Sequence, residues 1–362
     1  MPRAIGLMSG TSLDGVDAAW VETDGHRVTA LGPSLTLPYD AALRQELRAL
    51  LDLAPTLPAD DARLRDATER LTRYHAEAVA AIGREADLVG FHGQTILHQP
   101  DRRRTWQIGD AEMLASRTGL PVAHDFRSDD VAAGGQGAPF APAYHAALAA
   151  SLGGSPGPLA VLNVGGVANV TWIGSDGALL AFDTGPGNGP LDDWVVRHTG
   201  QAYDQGGALA GAGQADRSVL DRLLSHPYFE QVPPKSLDRL DFAGVLRSSG
   251  LAGLSAADGA ATLAAFTVAS VAQARALLPE APVRWLVTGG GRHNPVLMAG
   301  LRAALAVPVD PVEAVGWDGD ALEAQCFGFL AVRVAAGLPL SYPGTTGVPH
   351  PMPGGRLVQP AA

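Results

Sequence analysis

Cysteine is nearly absent. Cys326 stands alone in 362 residues, which excludes an intramolecular disulfide and any cysteine-based zinc cluster and fits a reducing compartment. Its neighbours Phe327, Phe329 and Leu330 mark it as a small buried hydrophobe. Lysine is as scarce: Lys235 is the single one, and the other 25 of 26 basic residues are arginines. A compact ammonium meets a phosphate or sugar oxygen differently from a guanidinium, so Lys235 is either a contact or a chance survivor. Positive charge is in deficit, with a net charge of -11, which argues against a nucleic-acid partner or an anionic membrane surface. The run Arg102, Arg103, Arg104 reads as a solvated loop. The N-terminus shows no secretory signal pattern, and no stretch of about twenty apolar residues is expected; the expected location is cytoplasmic. Neither G-x-x-x-x-G-K-[ST] nor a G-x-G-x-x-G between strand and helix occurs, which removes the main support for P-loop and Rossmann readings.

What is present suffices for large cores: 46% of the residues are hydrophobic and 17% charged. The length exceeds one usual domain, so two are expected, over 1–150 and 151–362. The first third reads as three extended runs, "AIGLMSG", "DAAWVETDG" and "RVTALGPSLTLPY". Helical spacing follows over 41–53 and 59–83, then "DLVGFHGQT", "TWQIGD", a helix over 111–118, and "PVAHDF". "SLGGSPGPL" marks a break near 151–158. The order then repeats, with strands in "LAVLNVGG", "VANVTWIGSDG" and "ALLAFDTGPGN" and helices over 191–198, 212–224 and 258–278. "VRWLVTGGG" reads as a buried strand, "NPVLMAGLRAAL" and "DALEAQCFGFLAVRVAAG" as helices, and the tail from Ser341 as mostly irregular. Two successive strand-strand-strand-helix units predict a duplicated α/β architecture with a cleft between lobes.

"GTSLDGVD", from Gly10 to Asp17, holds two glycines, two hydroxyls and two aspartates, more than a hairpin requires. Such a turn is either an ordinary hairpin or a cradle of N–H groups and hydroxyls for phosphate oxygens. "NVGGVAN" (163–169) takes the same place in the second half, and two loops of this kind can clamp a polyphosphate. In "VTGGGRHNP", Gly289, Gly290 and Gly291 would let a flat base approach the backbone, with Asn294 capping the next helix or meeting the nucleotide.

These loops resemble the actin, hexokinase and Hsp70 type of ATPase, a two-lobed duplicated RNase H-like α/β fold with a central cleft. More narrowly, "GTSLDGVD", "HGQT" (92–95), "FDTGPGN" (182–188), "GGGRHN" and "EAQCFGF" resemble the 1,6-anhydro-N-acetylmuramic acid kinase family, from about residue 5 to residue 338. The resemblance implies a phosphotransferase of cell-wall recycling that uses ATP, Mg2+ and water to open the anhydro ring of its amino sugar and phosphorylate O6. It also allows a homodimer. The alternatives are another sugar or carboxylic-acid kinase of the same fold, or a non-catalytic ATP-binding switch.

Ring opening by water needs a carboxylate base on the face opposite the bridging oxygen, and no general acid if the phosphoryl group captures O6. The family's catalytic aspartate maps onto Asp183, at the end of an apolar strand, with Thr184 and Asn188 supporting its turn. Glu323 would orient the water or hold a hydroxyl, or be an exposed residue of a first helical turn. His92, Gln94 and Arg127 are expected sugar or carboxylate ligands, the guanidinium suiting the lactyl anion; a core histidine is the alternative for His92. On the phosphate side, Gly10, Thr11 and Ser12 are expected donors, Leu13, Gly15 and Val16 complete the turn, and Asn163, Gly165, Gly166 and Asn169 form the second loop. Asp14 and Asp17 cannot donate, so they would act through Mg2+ or its waters, or hold the turn. In this family a stretch like "PKSTGREYF" is expected; here it is "PKSLDRLDF" (234–242), which keeps Lys235, Ser236, Arg239 and Phe242 but loses the Thr-Gly turn.

Overall fold

A computed structural model of the chain describes residues 1–10, 12–153, 157–237 and 241–361. The chain divides into two compact units, Met1–Gly153 with Ala321–Ala362, and Gly154–Asp320. The expected second lobe ending at residue 362 differs from this, because the closing helix and the tail return to the first unit.

The first unit holds β1 (Arg3–Ser9), β2 (Gly15–Thr23), β3 (Val28–Pro38), β4 (Leu88–Gln99), β5 (Arg104–Ile108), β6 (Val122–His124) and, from the tail, β12 (Arg356–Val358). The sheet order is β12-β6-β4-β1-β2-β3, with β5 paired to β4. Strand β2 runs antiparallel to both neighbours, whereas β1, β4 and β6 are mutually parallel. The tail from Ser341 is mostly irregular, as expected, and its short strand β12 forms the sheet's antiparallel edge.

Two helices cover one face of this sheet. In Ala41–Leu53 the buried Leu43, Leu47 and Leu50 recur at helical spacing, and Asp40 caps the start by accepting from Leu43 N at 2.7 Å. Asp61 caps the second helix, which begins at Ala62 rather than residue 59 and ends at Gly83 in the left-handed conformation. Their apolar stripes pack on Ile5, Leu7, Val16, Ala18, Val89 and Phe91. Helix Leu322–Ala335 approaches β1 and β4 so closely that side chains are excluded: a Cβ on Gly6 would lie 1.8 Å from the Ala324 carbonyl oxygen, and one on Gly90 2.0 Å from that of Phe327.

The second unit holds β7 (Leu159–Val164), β8 (Val167–Ile173), β9 (Leu179–Pro186), β10 (Arg284–Thr288) and β11 (Val309–Pro311), ordered β11-β10-β7-β8-β9. Strand β8 is antiparallel to β7 and β9, and β10 is parallel to β7 and β11. This repeats the order β6-β4-β1-β2-β3 of the first unit, so the chain carries the RNase H-like α/β arrangement twice. The expected helix over 212–224 forms only over Arg217–Leu224, capped by Asp216, and a separate short helix, Ala208–Gly211, precedes it. Between them Gly213 lies against the backbone of the long helix, where a Cβ would stand 2.1 Å from the Ala257 oxygen.

The segment Ala256–Leu277, 22 residues, is by length and composition alone apolar enough to cross a membrane. It includes helix Ala256–Ala274, whose Leu263, Phe266 and Val271 lie in the core of the second unit.

Candidate active site

In the second unit the strand registers place Thr288, Asn163, Asn169 and Asp183 directly opposite one another across β10, β7, β8 and β9. Opposed residues share a face, so these four form one polar row. Two turns frame it. The Gly165 carbonyl accepts from Asn188 N at 2.7 Å, and the Gly166 carbonyl from Gly187 N and Gly189 N. Asn188 Nδ2 donates to the Val164 oxygen at 3.0 Å, and Thr184 Oγ1 to the Ala168 oxygen at 3.2 Å, so both hold backbone at these turns.

The third glycine cluster packs onto the same place. Gly289 has a φ of 75°, and a Cβ there would lie 2.3 Å from Asn163 Oδ1. Gly291 is packed against Val164. Asn294 caps helix Pro295–Leu305, its Oδ1 accepting from Val296 N at 3.0 Å. Beside Gly290 and Asn294 opens a cavity of about 480 Å³ with walls from Leu191, Ala202, Tyr203 and Gln205. Its size and mixed lining suit a nucleoside.

Asp183 is half-buried and held from three sides. Leu237 N donates to Oδ2 at 2.7 Å, Tyr228 OH donates to the main-chain oxygen at 2.6 Å, and Asp183 N donates to the Lys235 carbonyl at 3.0 Å. Burial raises its pKa to about 6, against the opposing pull of the Leu237 N–H. Tyr228 and Leu237 are the partners that sequence reasoning missed; each lies more than forty residues from Asp183, and Leu237 acts through its backbone. Lys235 Nζ donates to the Tyr228 oxygen at 3.1 Å and stands 4.5 Å from the centre of the Tyr228 ring, which makes it a brace for this wall. Phe242 is fully buried against Phe229 and Phe266, while Arg239 lies outside the described residues.

In the first unit the loop from β1 to β2 is anchored from inside. Leu13 and Val16 are buried, Leu13 adopts a φ of 56°, and its N–H donates to the Gly10 oxygen at 3.2 Å. A Cβ on Gly15 would lie 2.4 Å from the Leu37 oxygen. Ser12 Oγ donates to Asp14 Oδ1 at 2.7 Å, and Thr36 Oγ1 to Asp17 Oδ1 at 2.6 Å. Thr11 lies outside the described residues. Among the described residues there is no group of three His, Cys, Asp or Glu able to hold a metal.

Two of the three expected substrate ligands are engaged by the protein. Gln94 is wholly buried; its Oε1 accepts from Ser9 Oγ at 2.6 Å, and Ser9 Oγ accepts from Tyr39 OH at 2.7 Å. Gln94 therefore holds the end of β1 instead of facing a ligand. His92 is buried as well, with Nδ1 2.7 Å from the Gly93 oxygen and Nε2 accepting from Arg127 Nε and Nη2 at 3.1 and 2.9 Å. Burial, then the Arg127 charge, holds its pKa well below the usual histidine value, so it is neutral with the proton on Nδ1.

Arg127 is left as the accessible group. Its Nη1 donates to the Gly137 oxygen at 2.5 Å, and its side chain lies over the Phe140 ring. Burial lowers its pKa to about 10, so it stays cationic at neutral pH. Glu323, in the first turn of helix Leu322–Ala335, is open to solvent yet ringed by protein. That desolvation and then the charge of Asp17 raise its pKa, while Arg127 pulls it down. Glu323 is thus within electrostatic reach of both Arg127 and Asp17.

The family model for anhydro-N-acetylmuramic acid kinase matches residues 2–359. The chain is 64% identical to the anhydro-N-acetylmuramic acid kinase of Acidiphilium cryptum, over 99% of this chain and 98% of the relative. It is 55% identical to the enzyme of that name from Gluconobacter oxydans, over 99% and 100%. Among solved structures, an inorganic polyphosphate/ATP-glucomannokinase from Arthrobacter aligns over 93% of this chain and 99% of its own, at 17% identity and a TM-score of 0.41. On the family model over residues 2–359 and the two relatives at 64% and 55% identity, the chain belongs to the anhydro-N-acetylmuramic acid kinase family of phosphotransferases.

Proposed function

We propose that this protein uses ATP and water to open the 1,6-anhydro ring of anhydro-N-acetylmuramic acid and phosphorylate O6, in the recycling of peptidoglycan. The observation that carries this reading is the setting of Asp183. A sugar kinase that transfers phosphate to a free hydroxyl needs no base for attack by water at the anomeric carbon; ring opening does. A carboxylate that titrates near 6 is ionised at neutral pH and accepts a proton more readily than an ordinary aspartate.

The electron and proton accounting is direct. The water oxygen bonds to C1 and its proton passes to Asp183. The C1–O6 bond breaks with its electron pair on O6, and O6 bonds to the γ-phosphorus as the bond to ADP breaks. Leu237 N occupies Oδ2, so Oδ1 is the atom for the proton. Glu323 would hold a hydroxyl or orient the water. Arg127 has used three of its five N–H groups on His92 and Gly137, which leaves one on each Nη, the fork that takes a carboxylate in bidentate fashion. The lactyl group of the sugar supplies such a carboxylate.

For ATP, the cavity beside Gly290 and Asn294 would take the adenosine; Gly165 and Gly166 of the second unit and, separately, Gly10 and Ser12 of the first are the backbone donors expected for phosphate oxygens. Mg2+ is bound through one or two carboxylates plus phosphate oxygens and waters, and Asp14 and Asp17 fit that requirement. When bound, the ion would neutralise phosphate charge. The decisive experiment is incubation with ATP and the anhydro sugar in ¹⁸O-water. Label at C1 of a 6-phosphate is expected; phosphorylation with the ring intact would support an ordinary sugar kinase and reject this reading.

A further inference from the structure

The direction of the Arg127 fork is set by a relay of hydrogen bonds that ends in the C-terminal segment. On one side His92 Nε2 accepts from Nε and Nη2. On the other, Nη1 donates to the carbonyl of Gly137, and that residue is itself fixed from behind: its N–H donates to Asp130 Oδ1 at 2.6 Å. Asp130 is 3% exposed. Its Oδ2 accepts the Thr346 hydroxyl at 2.7 Å, across 216 residues of chain, and the Thr346 carbonyl accepts Gln136 N at 2.7 Å. Thr346 is wholly buried at the end of the short helix Pro343–Thr346. The segment before it is tied down by Arg333, which donates to the oxygens of Pro339 and Gly25 and to Tyr342 OH.

We propose that Asp130 and Thr346 are positioning residues for Arg127, through which the C-terminal segment sets affinity for the carboxylate-bearing end of the sugar. This rests on the reading of Arg127 as the lactyl-carboxylate site. A bidentate guanidinium–carboxylate pair is directional. With the Thr346 hydroxyl removed, Asp130 keeps Gly137 but loses its own anchor. The loop carrying the Gly137 carbonyl is then held on one side only, and the two free N–H groups of Arg127 spread over several directions. Contacts elsewhere in the molecule are untouched, so the loss falls on recognition of the acid. Arg356 and Asp129 also join the tail to this loop, but through an exposed ion pair that bypasses Asp130, so they provide a control.

The test titrates N-acetylmuramic acid into the full-length protein by calorimetry, with a non-hydrolysable ATP analogue as the second ligand. Thr346→Val is expected to weaken muramate binding about tenfold, with nucleotide binding unchanged. Thr346→Ser, which restores the hydroxyl, and Arg356→Ala should both match the wild type within about twofold. Asp130→Ala is the second variant should Thr346→Val fail to fold; it removes the link between Thr346 and Gly137 and is expected to weaken muramate alone. Equal muramate affinity in wild type and Thr346→Val, or parallel loss of both ligands in both variants, would overturn the proposal. Thr346-dependent muramate binding without ring-opening turnover would reject the proposed reaction and leave this inference standing.

Discussion

Asp183 carries two opposed demands on one side chain. Burial lifts its pKa from 3.8 to about 6, so the folded protein holds a proton there that the unfolded chain has released. The neutral form thus contributes stability that is fully present below about pH 4 and is lost as pH rises through 6. Asp183→Asn removes that loss, and its Oδ1 can still accept from Leu237 N. The variant is expected to unfold like the wild type near pH 4 and to be more stable by about 1–3 kcal/mol at pH 8. Denaturant unfolding at the two pH values checks this. Its turnover is expected to fall by about 10² to 10⁴ or more. In the wild type kcat should rise tenfold per pH unit below about 6 and level off above it, and in Asp183→Asn that limb should vanish; a limb retained in the variant would assign the base elsewhere. The position of Asp183 near the end of β9 was legible in the sequence because an apolar run ends there at a glycine-rich turn. The inward packing of His92 and Gln94 was not. Leu7 pairs with Phe91 but Ser9 with Gln94, so β4 contains an extra residue near Gly93, whose φ is 68°. Such a bulge breaks the two-residue alternation by which a reader assigns faces, and both side chains turn inward.

At the scale of elements, the first-turn residue Glu323 is placed by glycines on the strands beneath its helix. Gly6→Ala would drive a methyl into the Ala324 carbonyl, a backbone atom that cannot step aside. The expected cost is about 3 kcal/mol or more, together with a loss of turnover as the start of the helix shifts. Gly244→Ala is the contrast: a Cβ there meets nothing within 4 Å, and the residue lies inside helix Ala243–Ser248. That change should be neutral or stabilising by up to about 1 kcal/mol, since alanine loses less backbone freedom than glycine. Chemical unfolding of both variants distinguishes the two glycines. The strands and most helices could be read from periodicity, and Ala41–Leu53 and Ala111–Thr118 fall where the spacing put them. Gly6, however, reads as one more small residue in an apolar run, because the helix that requires it enters more than three hundred residues later.

The whole chain threads its first unit through both ends of the sequence. A linear reading divides at the Gly, Ser and Pro cluster near 151–158 and has no signal for a second crossing, because Asp320 to Leu322 lies in an ordinary helix approach. The consequence is physical. Residues 1–153 alone would leave β1 and β4 without helix Leu322–Ala335, exposing the glycine-lined face that it covers, and would lose the β12 edge and the Thr346 anchor of Asp130. Residues 157–320, by contrast, keep a five-stranded sheet and a core built from their own side chains. Expressed separately, the second fragment is expected to fold with a single cooperative thermal transition, and the first to aggregate. Joining 1–153 to 321–362 through a short flexible linker should restore a soluble unit with slow amide exchange in β1 and β4. If 1–153 alone gave the same protection pattern, the closing helix would be an accessory to that unit instead of part of its core, and the placement of Glu323 would have to be explained by another contact.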